Sequence, residues 1–377
     1  MRFGGFSDLW NKSTIEKNAK VYDGTHQTPI YTKSGVKFVS VENIKDLYSS
    51  DKYISIEDYN SDFKYVPEIN DILMTRIGDI GTPALVTKSE PLAYYVSLAL
   101  LKEIDLEPHF LYHYIQTAPF QKELWRRTLH VAFPKKINKN EIGDCAIFYP
   151  STRCEQKKVA LFLDGIEKRI KIQNKIIEDL KVLKKELCNK VFGKGSAVRL
   201  GDFIEEVTTR NKSNSCENVL SVSNKMGFIK QSEQFEDRTV ASENKSNYKV
   251  VTEGCFAYNP ARINVGSIAL LSTYKIGIIS PMYVCFKTKS NLNSEYLNFY
   301  YQSGFFYKEL QKKLEGSVRQ CLTYENMSEI LIPYVGIEEQ KAIAATLNKF
   351  ATLIATEEKY IKSLQKQKSY FLNAMFI

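Results

Sequence analysis

The amino-acid sequence has no long apolar run and no closely spaced cysteines. No stretch reaches the roughly 20 apolar residues that a membrane-spanning helix needs. The opening MRFGGFSDLW also lacks the charged and then apolar pattern of a secretory signal. The seven cysteines are odd in number and never spaced as CxxC, which argues against a disulfide framework and against a zinc site. We therefore expect a cytoplasmic protein with reduced thiols and no membrane association.

Sequence signatures of catalysis are missing as well. The segment YNPA at 258–261 is similar to the Asn-Pro-Pro-aromatic loop of adenine methyltransferases, but it lacks the second proline and the aromatic residue. The segment GDIG at 78–81 is not followed by the Gly-Lys-Ser/Thr of a phosphate-binding loop. His109 and His113 have the i, i+4 spacing of zinc ligands, but no HExxH motif and no nearby Cys or Glu completes a set. We predict no catalytic residue, no metal site and no cofactor in this chain.

What the sequence does contain is a long internal repeat. Residues 155–192 align without a gap to residues 339–376, and 12 of the 38 positions are identical. Both segments open with Glu-Gln and then carry apolar residues at alternating steps of four and three, which is the heptad pattern of a coiled coil. Each helix would be about 57 Å long at 1.5 Å per residue.

The two heptad seams are interrupted by polar residues at the same steps. Gln173 corresponds to Glu357, and Lys184 corresponds to Lys368. Two unrelated amphipathic helices would not be expected to share both register and interruptions. We predict that the helices pair antiparallel and that Gln173 and Glu357 approach each other near the midpoint. The residues predicted to pair the helices are Ile166, Ile170, Gln173, Ile177, Phe350, Ile354, Glu357 and Ile361.

The remaining sequence repeats more faintly. GTPALV at 81–86 matches GSIALL at 266–271, and FLYHYIQT at 110–117 matches YLNFYYQS at 296–303. We predict strands at VKFVSV, DILMTR, PALVTK and YYVSLALL, then a helical segment from Pro108 that is interrupted near Pro119. The second copy has CFAYNP, SIALLST and GIISPMYVCFK before its helical segment. The chain is thus predicted to be α+β, with two similar domains at 1–150 and 194–334 and two spacer helices at 151–193 and 335–377.

This organisation resembles the specificity subunits of type I restriction–modification enzymes. The resemblance is carried by Tyr149-Pro150 before Glu155-Gln156, by Ile332-Pro333 before Glu339-Gln340, and by the paired glycine segments. It implies two target-recognition domains, each reading half of a split double-stranded DNA sequence, held apart by the antiparallel helices. It also implies docking of two modification subunits, which would carry S-adenosylmethionine and methylate adenine, and of a restriction subunit.

Net charge is a weak indication of DNA binding here. Seven of the nine excess positive charges fall in 155–192 and 339–377, and solvated helix faces are often rich in lysine. Local clusters are more informative, because Lys and Arg contact phosphates while Arg, Asn and Gln can read bases. An arginine precedes the glycine turn in each copy, and a basic or polar loop follows the helical segment. The predicted DNA-binding residues are Arg76, Arg126, Arg127, Lys135, Lys136, Asn259, Arg262, Asn264, Arg319 and Gln320.

Three other interpretations stay open at this point. The chain could serve a related methylation system that lacks the standard nuclease. It could be a fused methyltransferase, although the missing motifs argue against this, or a purely structural coiled-coil scaffold. Cofactor binding by the isolated chain and salt-dependent DNA binding by the complex would distinguish the last two.

Overall fold

The computed structural model describes residues 1–224, 226–234, 245–314 and 321–376. They divide into two compact units, of which unit 1 contains residues 1–174 and 359–377 and unit 2 contains residues 175–358. Each unit therefore combines one globular domain with parts of both long helices. Among the described residues, no helix is long and apolar enough to cross a membrane.

Unit 1 places its strands in three small sheets. One sheet has the order β2-β8-β5-β6, a second has the order β4-β3-β7, and β1 pairs with β9. The strands of unit 1 are β1 (Asn11–Thr14), β2 (Lys20–Asp23), β3 (Val36–Val39), β4 (Tyr53–Ile54), β5 (Ile72–Ile77), β6 (Asp79–Leu85), β7 (Leu92–Tyr94), β8 (Leu98–Lys102) and β9 (Ala146–Tyr149). Its helices are α1 (Ile56–Asp62), α2 (Pro108–Ile115), α3 (Ala118–Arg127), α4 (Lys139–Gly143) and α5 (Arg153–Phe192), which extends into unit 2.

Unit 2 repeats this plan. Its sheets have the orders β11-β18-β15-β16 and β13-β12-β17-β14, and β10 pairs with β19. Its strands are β10 (Ser196–Arg199), β11 (Ile204–Glu206), β12 (Val219–Ser223), β13 (Gly227–Lys230), β14 (Lys249–Thr252), β15 (Cys255–Tyr258), β16 (Ile268–Leu270), β17 (Ile276–Ile279), β18 (Val284–Thr288) and β19 (Leu331–Tyr334). Its helices are α6 (Gln231–Gln234), α7 (Ser294–Tyr301), α8 (Gly304–Gln311), α9 (Tyr324–Ser328) and α10 (Ile337–Met375), which extends into unit 1.

The α+β class and the internal repeat are confirmed, and two of the predicted strands need correction. The segment YYVSLALL is not one strand, because Val96 and Ser97 form a turn between β7, the parallel partner of β3, and the inner strand β8. GIISPMYVCFK is likewise divided between β17 and β18. The predicted helix interruption is confirmed, since α2 ends at Ile115 and Thr117 caps α3 with Pro119 in its first turn.

An aromatic contact joins the end of each long helix to its unit's globular domain. In unit 1 the ring of Phe376 lies 5.3 Å from Phe110 and 5.7 Å from Tyr114, measured between centroids. In unit 2 the ring of Phe192 lies 5.2 Å from Tyr296 and 5.6 Å from Tyr300. Phe192 and Phe376 occupy equivalent positions in the sequence repeat. The same aromatic contact is therefore present in both units.

The long helices run antiparallel within each unit, as predicted. In unit 1, the ring centroids of Phe162 and Phe371 lie 4.8 Å apart, and Arg169 contacts Tyr360. Residue numbers therefore increase along α5 while those of its contacts on α10 decrease. In unit 2, Lys181 and Glu358 form an ion pair of 2.6 Å. Of the predicted pairing residues, Ile166, Gln173, Ile177, Ile354 and Ile361 are buried, while Ile170, Phe350 and Glu357 are half-buried. The approach of Gln173 to Glu357 stays a prediction.

The second pair of polar interruptions has a local explanation in each unit. The ammonium of Lys368 pairs with Glu167 and donates a hydrogen bond of 2.7 Å to the side-chain oxygen of Gln116. The equivalent Lys184 lies 5.0 Å from the centre of the Phe299 ring, and burial lowers the pKa of its ammonium. Both lysines thus contact the globular domain of their unit. An aliphatic residue at either position could not make these contacts.

The Glu-Gln motif that opens each long helix contains a buried glutamine. Gln156 accepts a hydrogen bond from the Glu107 backbone N–H at 2.9 Å and donates to the Pro150 carbonyl at 2.9 Å. Gln340 accepts from the Asn293 N–H at 2.8 Å and donates to the Val335 carbonyl at 2.8 Å. Each glutamine therefore ties the start of its long helix to the start of α2 or α7. The preceding Glu155 is buried and pairs with Arg2, whereas Glu339 is exposed.

We expect Gln156→Ala and Gln340→Ala each to lower the free energy of unfolding by about 2–4 kcal/mol, because each change leaves a backbone donor and a carbonyl unpaired. Urea denaturation followed by circular dichroism would measure the loss. Gln367→Ala, at an exposed position of α10, is the matched control. Equal unfolding midpoints for all three variants would contradict a structural role for the motif.

Candidate nucleic-acid interface

Arg76 lies near the end of β5 and is buried, with 6% of its surface exposed. Its guanidinium pairs with Asp23 and donates a hydrogen bond of 3.0 Å from Nε to the carbonyl of Ile137. In this conformation the side chain is held by the protein's own acceptors, so it supports the surrounding backbone. Its predicted contact with DNA is not tested by this geometry and stays a prediction.

The two DNA-binding segments predicted for unit 1 lie side by side. The backbone N–H of Gly78 donates to the Lys135 carbonyl at 2.8 Å, and the N–H of Ile137 donates to the Arg76 carbonyl at 3.0 Å. Leu129 and Lys136 close the base of the loop with a further backbone hydrogen bond of 2.8 Å. The turn after β5 and the loop after α3 therefore form one continuous surface.

The four predicted cations at the end of α3 and in the loop after it differ in their surroundings. Arg127 is half-buried and forms ion pairs of 2.9 Å with Glu123 and 3.1 Å with Glu141. Arg126 is exposed and pairs with Glu123 as well. Lys135 and Lys136 are exposed, and Lys135 Nζ lies 4.4 Å from the centre of the Trp125 ring. The exposed cations Arg126, Lys135 and Lys136 are thus better placed for phosphate contact than Arg127.

The equivalent surface of unit 2 is built around the short 3-10 helix Pro260–Val265. Asn259 caps this helix, since its side chain accepts a hydrogen bond of 3.1 Å from the Ala261 N–H. Arg262 is exposed and Asn264 is half-exposed. The N–H of Leu322 donates to the Pro260 carbonyl at 3.2 Å, which repeats the hydrogen bond between Ile137 and Arg76. The predicted residues Arg319 and Gln320 lie outside the described residues.

Two clefts flank this 3-10 helix. Asn259 and Arg262 line one of about 460 Å³, together with Tyr248 and Tyr283. Asn264 lines the other, of about 750 Å³. Both clefts have polar and aromatic walls, which provide hydrogen-bond donors, acceptors and stacking surfaces beside the exposed Arg262.

A glycine with positive φ follows the turn in each unit. Gly81 has φ of +92° and Gly266 has φ of +88°, a region that favours glycine. A Cβ at Gly81 would also approach the side chains of Gln121 and Leu124 to within 3 Å. Gln121 donates a hydrogen bond of 2.7 Å to the Gly81 carbonyl, which fixes α3 against the turn. The glycines of the repeated GTPALV and GSIALL segments are therefore required by backbone geometry.

The two histidines on α2 have partners that the sequence does not indicate. His109 Nδ1 lies 2.7 Å and His113 Nε2 lies 2.8 Å from the two carboxylate oxygens of Asp164 on α5. Glu167, one helical turn further along, accepts from the hydroxyl of Tyr112 at 3.1 Å. These partners are 51 to 55 residues away in sequence, so no local spacing indicates them.

The electrostatics of this group favour ionised Asp164. Hydrogen bonds from His109 and His113 outweigh desolvation and hold the pKa of Asp164 well below its usual range. The hydrogen bond to Asp164 raises the pKa of His109. Ligand atoms of His113, Asp164 and Glu167 lie within 4.8 Å of one another, which is compatible with a metal ion. The distance of 2.8 Å between His113 and Asp164 is that of a hydrogen bond, and the absence of a metal site stays a prediction.

Comparison with known proteins gives consistent results. The family model described as the type I restriction modification DNA specificity domain matches residues 3–182 and 196–366. A protein of Methanocaldococcus jannaschii, assigned as the specificity subunit of the type I restriction enzyme MjaX, is 26% identical over 375 residues, covering 91% of this chain and 87% of that protein.

Two solved structures share the fold. The S subunit of a type I restriction–modification system from M. genitalium superposes with a TM-score of 0.63 at 14% identity, covering 100% of this chain and 99% of that chain. A chain solved in work on complex assembly and conformational transition of the type I restriction–modification system gives a TM-score of 0.55 at 14% identity, covering 97% of both chains.

We expect Arg76→Ala and Arg262→Ala to differ in their effect on stability. Loss of Arg76 leaves Asp23 and the Ile137 carbonyl without their donor in a mostly buried setting, which costs about 3 kcal/mol. Arg262 is exposed, so its replacement changes the free energy of unfolding by less than about 0.5 kcal/mol. Chemical denaturation of both variants gives the comparison. An Arg76→Ala protein as stable as Arg262→Ala would show that the ion pair does not hold the turn.

Proposed function

Because the chain belongs to the specificity (S) subunit family of type I restriction–modification systems, we propose that each unit binds one half of a bipartite double-stranded DNA target. The proposed role of this chain is to recognise DNA, and we assign no covalent chemistry to it. Methyl transfer to adenine and DNA cleavage belong to separate modification and restriction subunits. S-adenosylmethionine would be held by the modification subunits.

The observation that carries the proposal is the repeated hydrogen bond between the region of the glycine turn and the segment that follows α3 in unit 1 and α8 in unit 2. In unit 1 this pairing joins Arg76 to Ile137, and in unit 2 it joins Pro260 to Leu322. A protein that reads two separate half-sites needs two comparable surfaces. Exposed Lys135 and Lys136 in unit 1 provide donors for phosphates, while Arg262 in unit 2 has the fork of donors that matches guanine in the major groove.

Exposed apolar side chains along the long helices support docking of the modification subunits. Four such residues lie between positions 172 and 183 of α5, and each is at least 41% exposed: Ile172, Ile176, Val182 and Leu183. Leu353 and Tyr360 on α10 are exposed to a similar degree. Exposed apolar side chains that are grouped on a helix surface are typical of interaction sites, because binding a partner removes their apolar area from water. We place two modification subunits here and a restriction subunit on the complex that they form.

The proposed function is tested by mapping methylated adenines in host DNA with and without this gene. We expect a split target to lose methylation when the gene is absent. Replacing residues 1–150 with the corresponding domain of another family member should change one half of the target and leave the other half intact. The isolated chain should not methylate DNA, and methyl transfer by the chain alone would overturn the assignment.

We also expect the helices to set the spacing between the half-sites. Deleting four residues within 170–190 shortens α5 by about 6 Å while nearly preserving its face at 3.6 residues per turn. The permitted spacer length should change, and both half-sites should keep their sequence, as read by methylation mapping. Alanine substitution of four exposed residues in the same window is the control. Unchanged spacing in the deletion variant would show that α5 does not set the distance.

A further inference from the structure

The loop between α3 and α4 exposes two apolar side chains at its tip. Val131 is 99% exposed and Phe133 is fully exposed. Exposing a whole phenylalanine ring to water is unfavourable, and burying it elsewhere would recover about 1.5–3 kcal/mol. Since only Ala132 separates the two residues at the end of the loop, they can enter one narrow apolar space together.

The base of this loop is firmly connected to the domain. The backbone hydrogen bonds of Leu129 with Lys136 and of Gly78 with Lys135 close the loop and attach it to the β5–β6 turn. On one side, the His130 ring lies 4.4 Å from the Trp125 ring, and its Nε2 lies 2.9 Å from the Trp125 carbonyl. The base of the loop is therefore fixed, which limits the chain entropy that is lost when the tip binds a partner.

Exposed basic side chains flank the apolar tip along the chain. Lys122, Arg126, Lys135 and Lys136 are exposed, and the nearby acid Glu123 is already paired with Arg126 and Arg127. A partner that buries Phe133 must therefore combine a narrow apolar slot with a high density of negative charge close on either side. Duplex DNA does so when two stacked bases separate, because phosphates flank every base step.

We propose that Phe133, assisted by Val131, is a wedge that inserts between base pairs of the half-target bound by unit 1. The inference rests on the proposed function, since it requires that this surface faces DNA. The cost of unstacking one base step is offset by the contact of the bases with Phe133 and by phosphate contacts of Lys135 and Lys136. Such insertion would favour sequences in which this base step is easily unstacked, and it would therefore add selectivity without hydrogen bonds to bases.

The test uses the assembled methyltransferase and a duplex that carries its mapped target. A single 2-aminopurine is placed in turn at each position of the target, because its fluorescence rises when it loses stacking. With the unaltered complex we expect a rise at one step in the half bound by unit 1, in addition to the rise that base flipping causes at a methylated adenine. With Phe133→Ala the rise at that step should disappear while the rise at the methylated adenine remains, and binding should weaken by about 10- to 100-fold, in line with the loss of one stacking contact.

Two further variants serve as controls. Phe133→Trp keeps a flat apolar ring and should retain the fluorescence rise. Leu9→Ala removes a similarly exposed apolar side chain of unit 1 outside the basic loop, and it should bind DNA normally. Because Phe133 is exposed, its replacement should leave the thermal unfolding midpoint unchanged, which separates a contact effect from misfolding.

The remaining outcomes each have one meaning. If Phe133→Ala binds the target with the same affinity and the same fluorescence pattern, the wedge is excluded and the proposed function stands. If Phe133→Ala loses the modification subunits during purification, the loop is a protein-docking surface and the wedge is excluded. If the unaltered complex binds the mapped target no better than unrelated DNA, the proposed function fails and the inference fails with it.

Discussion

The burial of Phe376 between Phe110 and Tyr114, and of Phe192 between Tyr296 and Tyr300, is the contact on which the position of each recognition domain depends. Each ring closes a single apolar core that contains residues from a globular domain and from both long helices. Truncating such a ring to alanine typically costs about 3–5 kcal/mol. The domain therefore cannot rotate on the helix ends without losing a large part of its stability, and the buried glutamines Gln156 and Gln340 fix the same junction through backbone groups.

From this junction a continuous series of contacts leads to the predicted DNA surface. The helix that bears Phe110 and Tyr114 is followed directly by α3, where Gln121 holds Gly81 through a hydrogen bond of 2.7 Å. The end of α3 then leads into the loop whose base is joined to the β5–β6 turn, and Arg76 secures that junction from inside the domain. Since these contacts are backbone hydrogen bonds or buried side-chain pairs, the geometry of the helices determines the geometry of the loops.

The sequence predicted the parts of this arrangement that depend on local pattern. The heptads, the repeat and the interruption before Pro119 all follow from periodicity or backbone chemistry within one segment. It did not predict that Arg76 is buried, because the partner Asp23 lies 53 residues away and nothing in the spacing points to it. The carboxylate of Asp164 was missed for the same reason, since it comes to His109 and His113 only when α5 packs on α2. Both omissions concern polar groups whose surroundings depend on distant partners, whereas apolar periodicity is visible in a short segment of sequence.

Burial also separates the residues that hold the structure from those proposed to contact DNA. Gln156, Gln340 and Phe376 are buried, while Lys135, Lys136 and Arg262 are exposed. Replacement of an exposed residue usually changes stability by less than about 0.5 kcal/mol, so the DNA-facing positions can vary at little cost to folding. The repeated junctions allow no such freedom, because they are needed to hold either domain in place. Under the proposed function, a new target sequence would arise by substitution on the loops alone, while the spacing between half-sites would change only with the length of the helices.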